Sequence, residues 1–236
     1  MSPEILSSIL GLSAIEQRVA LRELFKQSLY FTAKYLLGYS LINRRTHGDI
    51  IRVLESEWRR KLIVMPRGSF KSSLCSVSYP IWLLLRDPNL RILLDSELYT
   101  NSKNFLREIK AHLQTPLIVE LFGEFRNDSC WNEGEIIINQ RSLIRKEASI
   151  TASGVGAVKV GQHYDVILGD DYNSPSNSNT PEGLQKVIDH YRYTFSILEP
   201  EGTYALVGTR YAARDAIGNV LRTELEEAEG EGIKTG

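Results

Sequence analysis

The sequence predicts a mainly parallel α/β sheet flanked by helices, preceded by a small N-terminal helical element. Three features lead there. From Lys61 onward, short apolar runs of strand length alternate with longer stretches of helical spacing, the βαβα pattern of a parallel sheet. Those apolar runs end in Pro, Gly or Asp rather than alternating with polar residues, as strands buried on both faces do. The residues before Lys61 show helical spacing only.

The elements follow in order. Ile15, Val19, Leu24, Phe25, Leu29, Phe31, Leu36 and Leu37 recur near helical spacing with Arg18, Arg22, Glu23 and Lys26 between them, an amphipathic lead-in. Gly38 and residues 40–48 interrupt it, and Asp49 to Arg60 reads as a second helix through Ile50, Ile51, Val53, Leu54 and Trp58. Leu62 to Met65 is the first strand, Pro66 and Gly68 open a loop, and a helix starts near Lys71, with a kink or break expected at Pro80. Asp87-Pro88-Asn89 turns the chain into a strand at Arg91–Asp95, then a helix at Tyr99–Leu113. In residues 116–152 only a strand at Glu135–Asn139 and a partner near Ile150 stand out, suggesting an inserted hairpin. A strand at Asp165–Leu168, a helix at Thr180–Leu198, a strand at Thr203–Val207 and a helix at Ala213–Leu225 complete the pattern. Five glutamates within residues 224–231 mark a frayed exit. The expected partition is a helical lead-in or lid over 1–60, a core over 61–223 and an acidic exit linker over 224–236.

Composition narrows the function. At 236 residues, 42% hydrophobic and 24% charged, the chain can bury a core and is not disordered. Cys75 and Cys130 stand far apart without a Cys-x-x-Cys, so neither a disulfide framework nor a structural zinc site is indicated, and a reducing compartment fits. Apolar runs such as Ile81–Leu85 are much too short to span a bilayer, and no membrane association is expected. His47, His112, His163 and His190 lack metal-ligand spacing, and no Gly-x-Ser-x-Gly elbow accompanies them, which removes support for zinc or serine-hydrolase chemistry. Charge is divided: residues 1–110 hold 17 Lys/Arg against 10 Asp/Glu, and residues 111–236 hold 11 against 19. A basic half suits a polyanion and an acidic half a divalent metal, but the two halves equally suit each other.

Three loops carry candidate chemistry. Met65-Pro66-Arg67-Gly68-Ser69-Phe70-Lys71-Ser72 lies where a strand gives way to a helix, a place where backbone N–H groups can wrap phosphates. Lys71 would then reach the outer phosphates and Ser72 a magnesium ion. Only the Lys-Ser pair of G-x-x-x-x-G-K-[ST] survives, and taken alone the octapeptide suits a surface turn as well. Gly68 keeps one permissive position, and Pro66 fixes φ at the start. Val166-Ile167-Leu168-Gly169-Asp170-Asp171 is an apolar strand ending in two acids, at the strand end that lines the ligand crevice of open α/β sheets. Asp170 suits Mg²⁺ and Asp171 an attacking water. Ala205-Leu206-Val207-Gly208-Thr209 is a third such strand, whose threonine can sense a γ-phosphate.

These segments, with Gly208-Thr209-Arg210-Tyr211, the stretch from Pro80 to Pro88, and Gly154-Val155-Gly156 with Gly161, resemble in order and spacing the ATPase domain of tailed-bacteriophage terminase large subunits. The similarity spans about residues 40 to 222. It implies an additional-strand, RecA-like P-loop NTPase core that hydrolyses ATP with Mg²⁺ to drive double-stranded DNA into a procapsid. It implies nucleotide contacts from Pro66 through Ser73, with Arg67 as the arginine four residues before the lysine, and Thr209 as the coupling threonine. Partners implied are a homo-oligomeric ring of five on the portal and the small terminase subunit, in the host cell cytoplasm. An arginine donated to a neighbouring subunit is also implied, with Lys159, Arg141 and Arg145 as candidates.

The chain departs from that family in Asp171, where Glu is usual, and in Phe70, where Gly is usual. The family's nuclease domain has no counterpart in the sequence, so an isolated motor without DNA cleavage is expected. A helicase-like or RecA-like ATPase, or a nucleotide-binding module without hydrolysis, are the alternatives.

Overall fold

The computed structural model describes residues 9–157, 161–174, 177, 180–210, 217, 218 and 220–222. Among the described residues seven strands form one sheet: β1 (Arg60–Val64), β2 (Ile92–Ser96), β3 (Arg126–Trp131), β4 (Glu135–Ile138), β5 (Ile150–Gly154), β6 (Tyr164–Asp170) and β7 (Leu198–Gly208). Their order is β1-β7-β6-β2-β5-β4-β3. The first five in that order are mutually parallel, and β4 and β3 extend the far edge as an antiparallel hairpin. The expected pairing of a strand at Glu135–Asn139 with a partner near Ile150 is present as β4 antiparallel to β5, through Ile136 and Ile150, and β3 adds a further edge strand that the sequence does not predict. That outer strand, largely polar and exposed, carries no apolar run by which the sequence could announce it.

Alternating residues of the central strands serve two cores. Ile92, Leu94, Val166, Leu168, Ala205 and Val207 face one side, while Leu93, Ile167, Tyr204 and Leu206 face the other. This two-sided burial explains why the strands read as continuous apolar runs. Against the first face pack α1 (Ala14–Gln27), α2 (Arg44–Glu55), α3 (Tyr79–Arg86), α4 (Tyr99–Leu113) and α5 (Pro116–Phe122); against the second packs α6 (Pro181–Ser196). The result is a three-layer α/β/α arrangement. Phe25, Leu29, Ile50 and Leu54 belong to the same core as Ile63 and Ile92, so the N-terminal helices are continuous with the sheet layer.

Local chemistry sets the helix ends. Ser13 and Glu16 form a reciprocal capping box at α1, and the helical lead-in is broken at Ser28 and resumes as a short α-helical turn at Leu29–Phe31 and a π-helical stretch at Thr32–Leu36. The second helix starts at Arg44, five residues before the expected Asp49, because Asn43 Oδ1 accepts the Thr46 N–H at 2.9 Å. His47, Ile50, Ile51 and Leu54 then form its buried stripe. Pro80 does not break the chain's helical path. A π-helical turn at Ser73–Ser78 precedes α3, so the missing proline N–H falls in the first turn of α3, where it costs least. The helix expected at Ala213–Leu225 falls mostly outside the described residues, of which 217, 218 and 220–222 are helical; Tyr211, Lys159 and the linker 224–236 also lie outside them.

Candidate functional site

Because β1, β7 and β6 are adjacent and parallel, their C-terminal ends emerge along one edge of the sheet. Val64 pairs with Gly208, and Asp170 with Val207. The loop after β1, the acid pair ending β6 and the threonine after β7 therefore meet. Lys71 Nζ lies 2.9 Å from Asp171 Oδ2. The Thr209 N–H donates to Asp171 Oδ1 at 3.1 Å, and Thr209 Oγ1 donates to the Met65 carbonyl at 3.1 Å. The Asp171 N–H is tied to the Val207 carbonyl at 2.9 Å. Met65, at the base of the lysine-bearing loop, stands 144 positions from Thr209, yet lysine, acids and threonine share one small volume.

The phosphate-loop candidate is a tight turn. Pro66, Arg67 and Gly68 form its exposed crest, and Ser69 Oγ closes it by donating to the Pro66 carbonyl at 2.7 Å. Gly68 has φ +76°, and Phe70 has φ +56°. Phe70 thus occupies a left-handed position at the site where glycine is the residue that adopts it without strain. Lys71 is buried, Ser72 and Ser73 are half-buried, and the Phe70 carbonyl accepts the Leu74 N–H at 3.0 Å, which starts the helical turn.

Asp170 is 3% exposed and faces the π-helical turn Ser73–Ser78. Its Oδ2 accepts from Ser76 Oγ at 2.6 Å. Burial pushes its carboxyl up to about 6; the charge of Asp171 adds to the rise, while Ser76, Ser72 and Lys71 restrain it. Among the described residues Asp170 Oδ1 is buried with no hydrogen-bond partner. A buried carboxylate oxygen of this kind is costly unless a cation meets it, and a carboxylate beside a hydroxyl is a hard-oxygen donor set that suits Mg²⁺. Asp170 and Ser72 thus fit that ion. No group of three or more His, Cys, Asp or Glu that could hold a metal occurs among the described residues. Nucleotide oxygens and water would have to complete the coordination.

Two contacts were not legible in the sequence. Ser76, one turn beyond Ser72, holds the metal-side carboxylate; its only signal is its helical spacing from Ser72, in a segment that carries other serines. His47, buried on α2, bonds through Nε2 to the Ser69 carbonyl at 3.0 Å and sets its ring against Phe70 in an edge-on contact. The Ser69 carbonyl can only accept, so Nε2 carries a proton, and Nδ1 lies 3.2 Å from both the backbone nitrogen and the carbonyl oxygen of Asn43. The N-terminal element grips the loop through this residue.

Arg141 and Arg145 lie elsewhere. Both precede β5 at the N-terminal edge of the parallel strands, and Arg141 donates to the Glu147 carbonyl at 2.7 Å with its Nε and Nη2 buried.

Fold and site together define a three-layer α/β/α architecture, a mostly parallel sheet whose adjacent strand ends converge on a lysine-bearing turn. No family model and no curated protein sequence matches the chain. Among solved structures it is similar to the large terminase of bacteriophage HK97, with a TM-score of 0.53 at 10% identity over 88% of this chain and 42% of that one. It is also similar to S. cerevisiae Dbp5 bound to Nup159, Gle1, IP6 and ADP, with a TM-score of 0.50 at 10% identity over 83% of this chain and 49% of that one. The chain thus spans less than half the length of either protein. These likenesses bear out the expected fold and, at the level of fold, the resemblance to a terminase motor. No helix among the described residues is long and apolar enough to cross a membrane.

Proposed function

We propose that the chain is the ATP-hydrolysing motor domain of a viral large terminase, coupling hydrolysis to the movement of double-stranded DNA into a procapsid. The observation that carries this reading is the convergence of Lys71, Asp170, Asp171 and Thr209 at the ends of three neighbouring strands. The HK97 terminase likeness favours the motor assignment, and the ADP in the Dbp5 structure favours a nucleotide.

In this reading Lys71 and the N–H groups from Arg67 to Ser73 hold the phosphates. Ser72 and Asp170 hold Mg²⁺, which when bound supplies charge neutralisation at the phosphate oxygens. Asp171 starts out engaged by Lys71. Arrival of a triphosphate gives Lys71 a more highly charged partner, and the released Asp171 carboxylate is then free to orient a water. Its side chain is one methylene shorter than glutamate, which sets that water closer to the backbone. Arg67 adds positive charge at the γ-phosphate from the crest of the loop. Thr209, bonded both to Asp171 and to the base of the loop at Met65, is placed to relay loss of the phosphate to β7. Assembly as a ring of five on the portal, with the small terminase subunit and in the host cytoplasm, belongs to the same reading, as does completion of each site by a neighbour's arginine.

Lys71→Ala and Asp170→Ala are each expected to abolish phosphate release while circular dichroism stays native; turnover at the parental rate in either variant defeats the assignment. Asp171→Asn is expected to spare nucleotide binding more than hydrolysis. The comparable likeness to Dbp5 gives a second reading, a nucleic-acid ATPase of the helicase type. Strand displacement on a forked duplex selects it over the packaging motor. Nucleotide binding without phosphate release would instead mark a non-hydrolysing module.

A further inference from the structure

On the sheet face opposite Asp170 lies a set of buried hydrogen bonds that the chemistry above does not use. Asp171 has φ +45°, a left-handed conformation that is uncommon outside glycine and is reached most readily by Asn and Asp. Its neighbour Tyr172 is anchored by a buried hydroxyl. The chain reversal at Asp171 sends the Tyr172 ring back along β6, where it lies over Gly169; a Cβ there would stand 2.8 Å from the ring. The Tyr172 hydroxyl donates to Asp95 Oδ2 at 2.7 Å and lies 2.9 Å from the Tyr204 hydroxyl. Asp95, the fourth residue of β2, accepts a second bond at the same oxygen from His190 Nε2 of α6, at 2.6 Å. The His190 tautomer is fixed as well, since its Nδ1 accepts the Gly156 N–H at 3.2 Å. Asn177 Nδ2 holds the Tyr172 carbonyl at 2.7 Å. All four side chains, from Asp95, Tyr172, His190 and Tyr204, are buried.

We propose that Tyr172 is the positioning residue for Asp171, held in place by Asp95 and His190. The acid pair is then secured from both faces of the sheet: Asp170 by Ser76 from the α3 side, and Asp171 through Tyr172 from the α6 side. Core packing alone would need only the ring. The hydroxyl, bonded to a carboxylate that a histidine orients, fixes the angle at which the strand end turns. That angle decides whether the Asp171 carboxylate meets Lys71 and the Thr209 N–H. The proposal rests on the ATP-hydrolysing reading for its kinetic test but not for its geometric one.

Tyr172→Phe keeps the ring and removes only the hydroxyl. The expected result is a fall in kcat of about tenfold, the factor corresponding to one charge-assisted hydrogen bond of ~1.4 kcal/mol, with KM for ATP within about twofold. Because Tyr172 acts through Asp171, the Asp171→Asn, Tyr172→Phe double variant should be no slower than Asp171→Asn alone. His190→Gln, which keeps a donor toward Asp95, should retain more activity than His190→Leu. An unchanged kcat, a KM rise matching the kcat fall, multiplicative losses in the double variant, or equal loss in the two His190 variants would each overturn the proposal. A second measurement does not depend on turnover. Thermal unfolding of Lys71→Met, Tyr172→Phe and their double variant should show that the two substitutions are coupled, since the Lys71–Asp171 pair depends on the Tyr172 anchor. Strict additivity overturns the proposal even if the chain hydrolyses nothing, whereas coupling without ATP hydrolysis leaves it standing and removes the motor reading alone.

Discussion

Replacing Asp170 with asparagine should make the metal-free protein more stable, by an amount that opens above about pH 4 and is complete above about pH 6. Folding raises this carboxyl from 3.8 to about 6, chiefly by burial. Between those values the folded protein keeps a proton that the unfolded chain has lost, so stability falls as pH rises through that window. A shift of roughly two pKa units corresponds to a cost on the order of 3 kcal/mol once the group is fully ionised. Asparagine has the shape of the protonated acid and still accepts from Ser76, but it never ionises. Asp170→Asn should therefore match the parent near pH 4 and exceed it by up to about 3 kcal/mol at pH 8, a rise in Tm of roughly 5–10 °C for a chain of this size. Urea or thermal denaturation in EDTA at pH 5 and pH 8 measures it. Adding magnesium nucleotide should narrow the gap by stabilising the parent alone. A variant less stable than the parent at pH 8, or a gap that is the same at both pH values, would refute an uncompensated buried carboxylate at this position.

The phosphate loop and the base of the sheet yield three further expectations. Phe70→Gly removes left-handed strain of about 1–2 kcal/mol but adds backbone entropy and loses the His47 contact, so stability should stay within about 1 kcal/mol of the parent. Phe70→Val, β-branched at the same φ, should be clearly less stable, and guanidinium denaturation ranks the three proteins. His47→Ala leaves the Ser69 carbonyl without its partner, a cost of about 1–3 kcal/mol; a fluorescent ADP analogue should also bind more weakly as the loop loosens. Arg91 bonds Asp165 and Glu199 at 2.7 Å each and lies 3.6 Å from Glu147, so Arg91→Leu strands those acids and should cost about 3–5 kcal/mol in chemical denaturation.

Much of the framework is local and therefore visible in one dimension. Apolar runs such as Leu62–Val64 and Val166–Leu168 have only one stable use, as strands covered on both faces. The residues that end them, Pro66, Asp170 and Gly208, mark where the chain leaves the sheet. Helix α4 matched its expected limits from Tyr99 to Leu113, whereas the start of α2 did not, because an asparagine cap outweighed the glycine and polar residues around it. The polar strand β3 had no hydrophobic signature and pairs only because β4 offers an open edge.

What the sequence by itself determined is which residue types stand at the ends of the buried strands, since burial and chain exit are decided within a few neighbouring positions. The tertiary structure alone decided that β7 lies between β1 and β6, and this order brings Lys71 to Asp171 across a hundred intervening steps. It alone placed His47 on the loop, Ser76 on Asp170, and Tyr172, Asp95 and His190 in one buried group. The reason is that a polar group taken out of water must find a partner wherever the fold supplies one, and that partner is seldom near it along the chain.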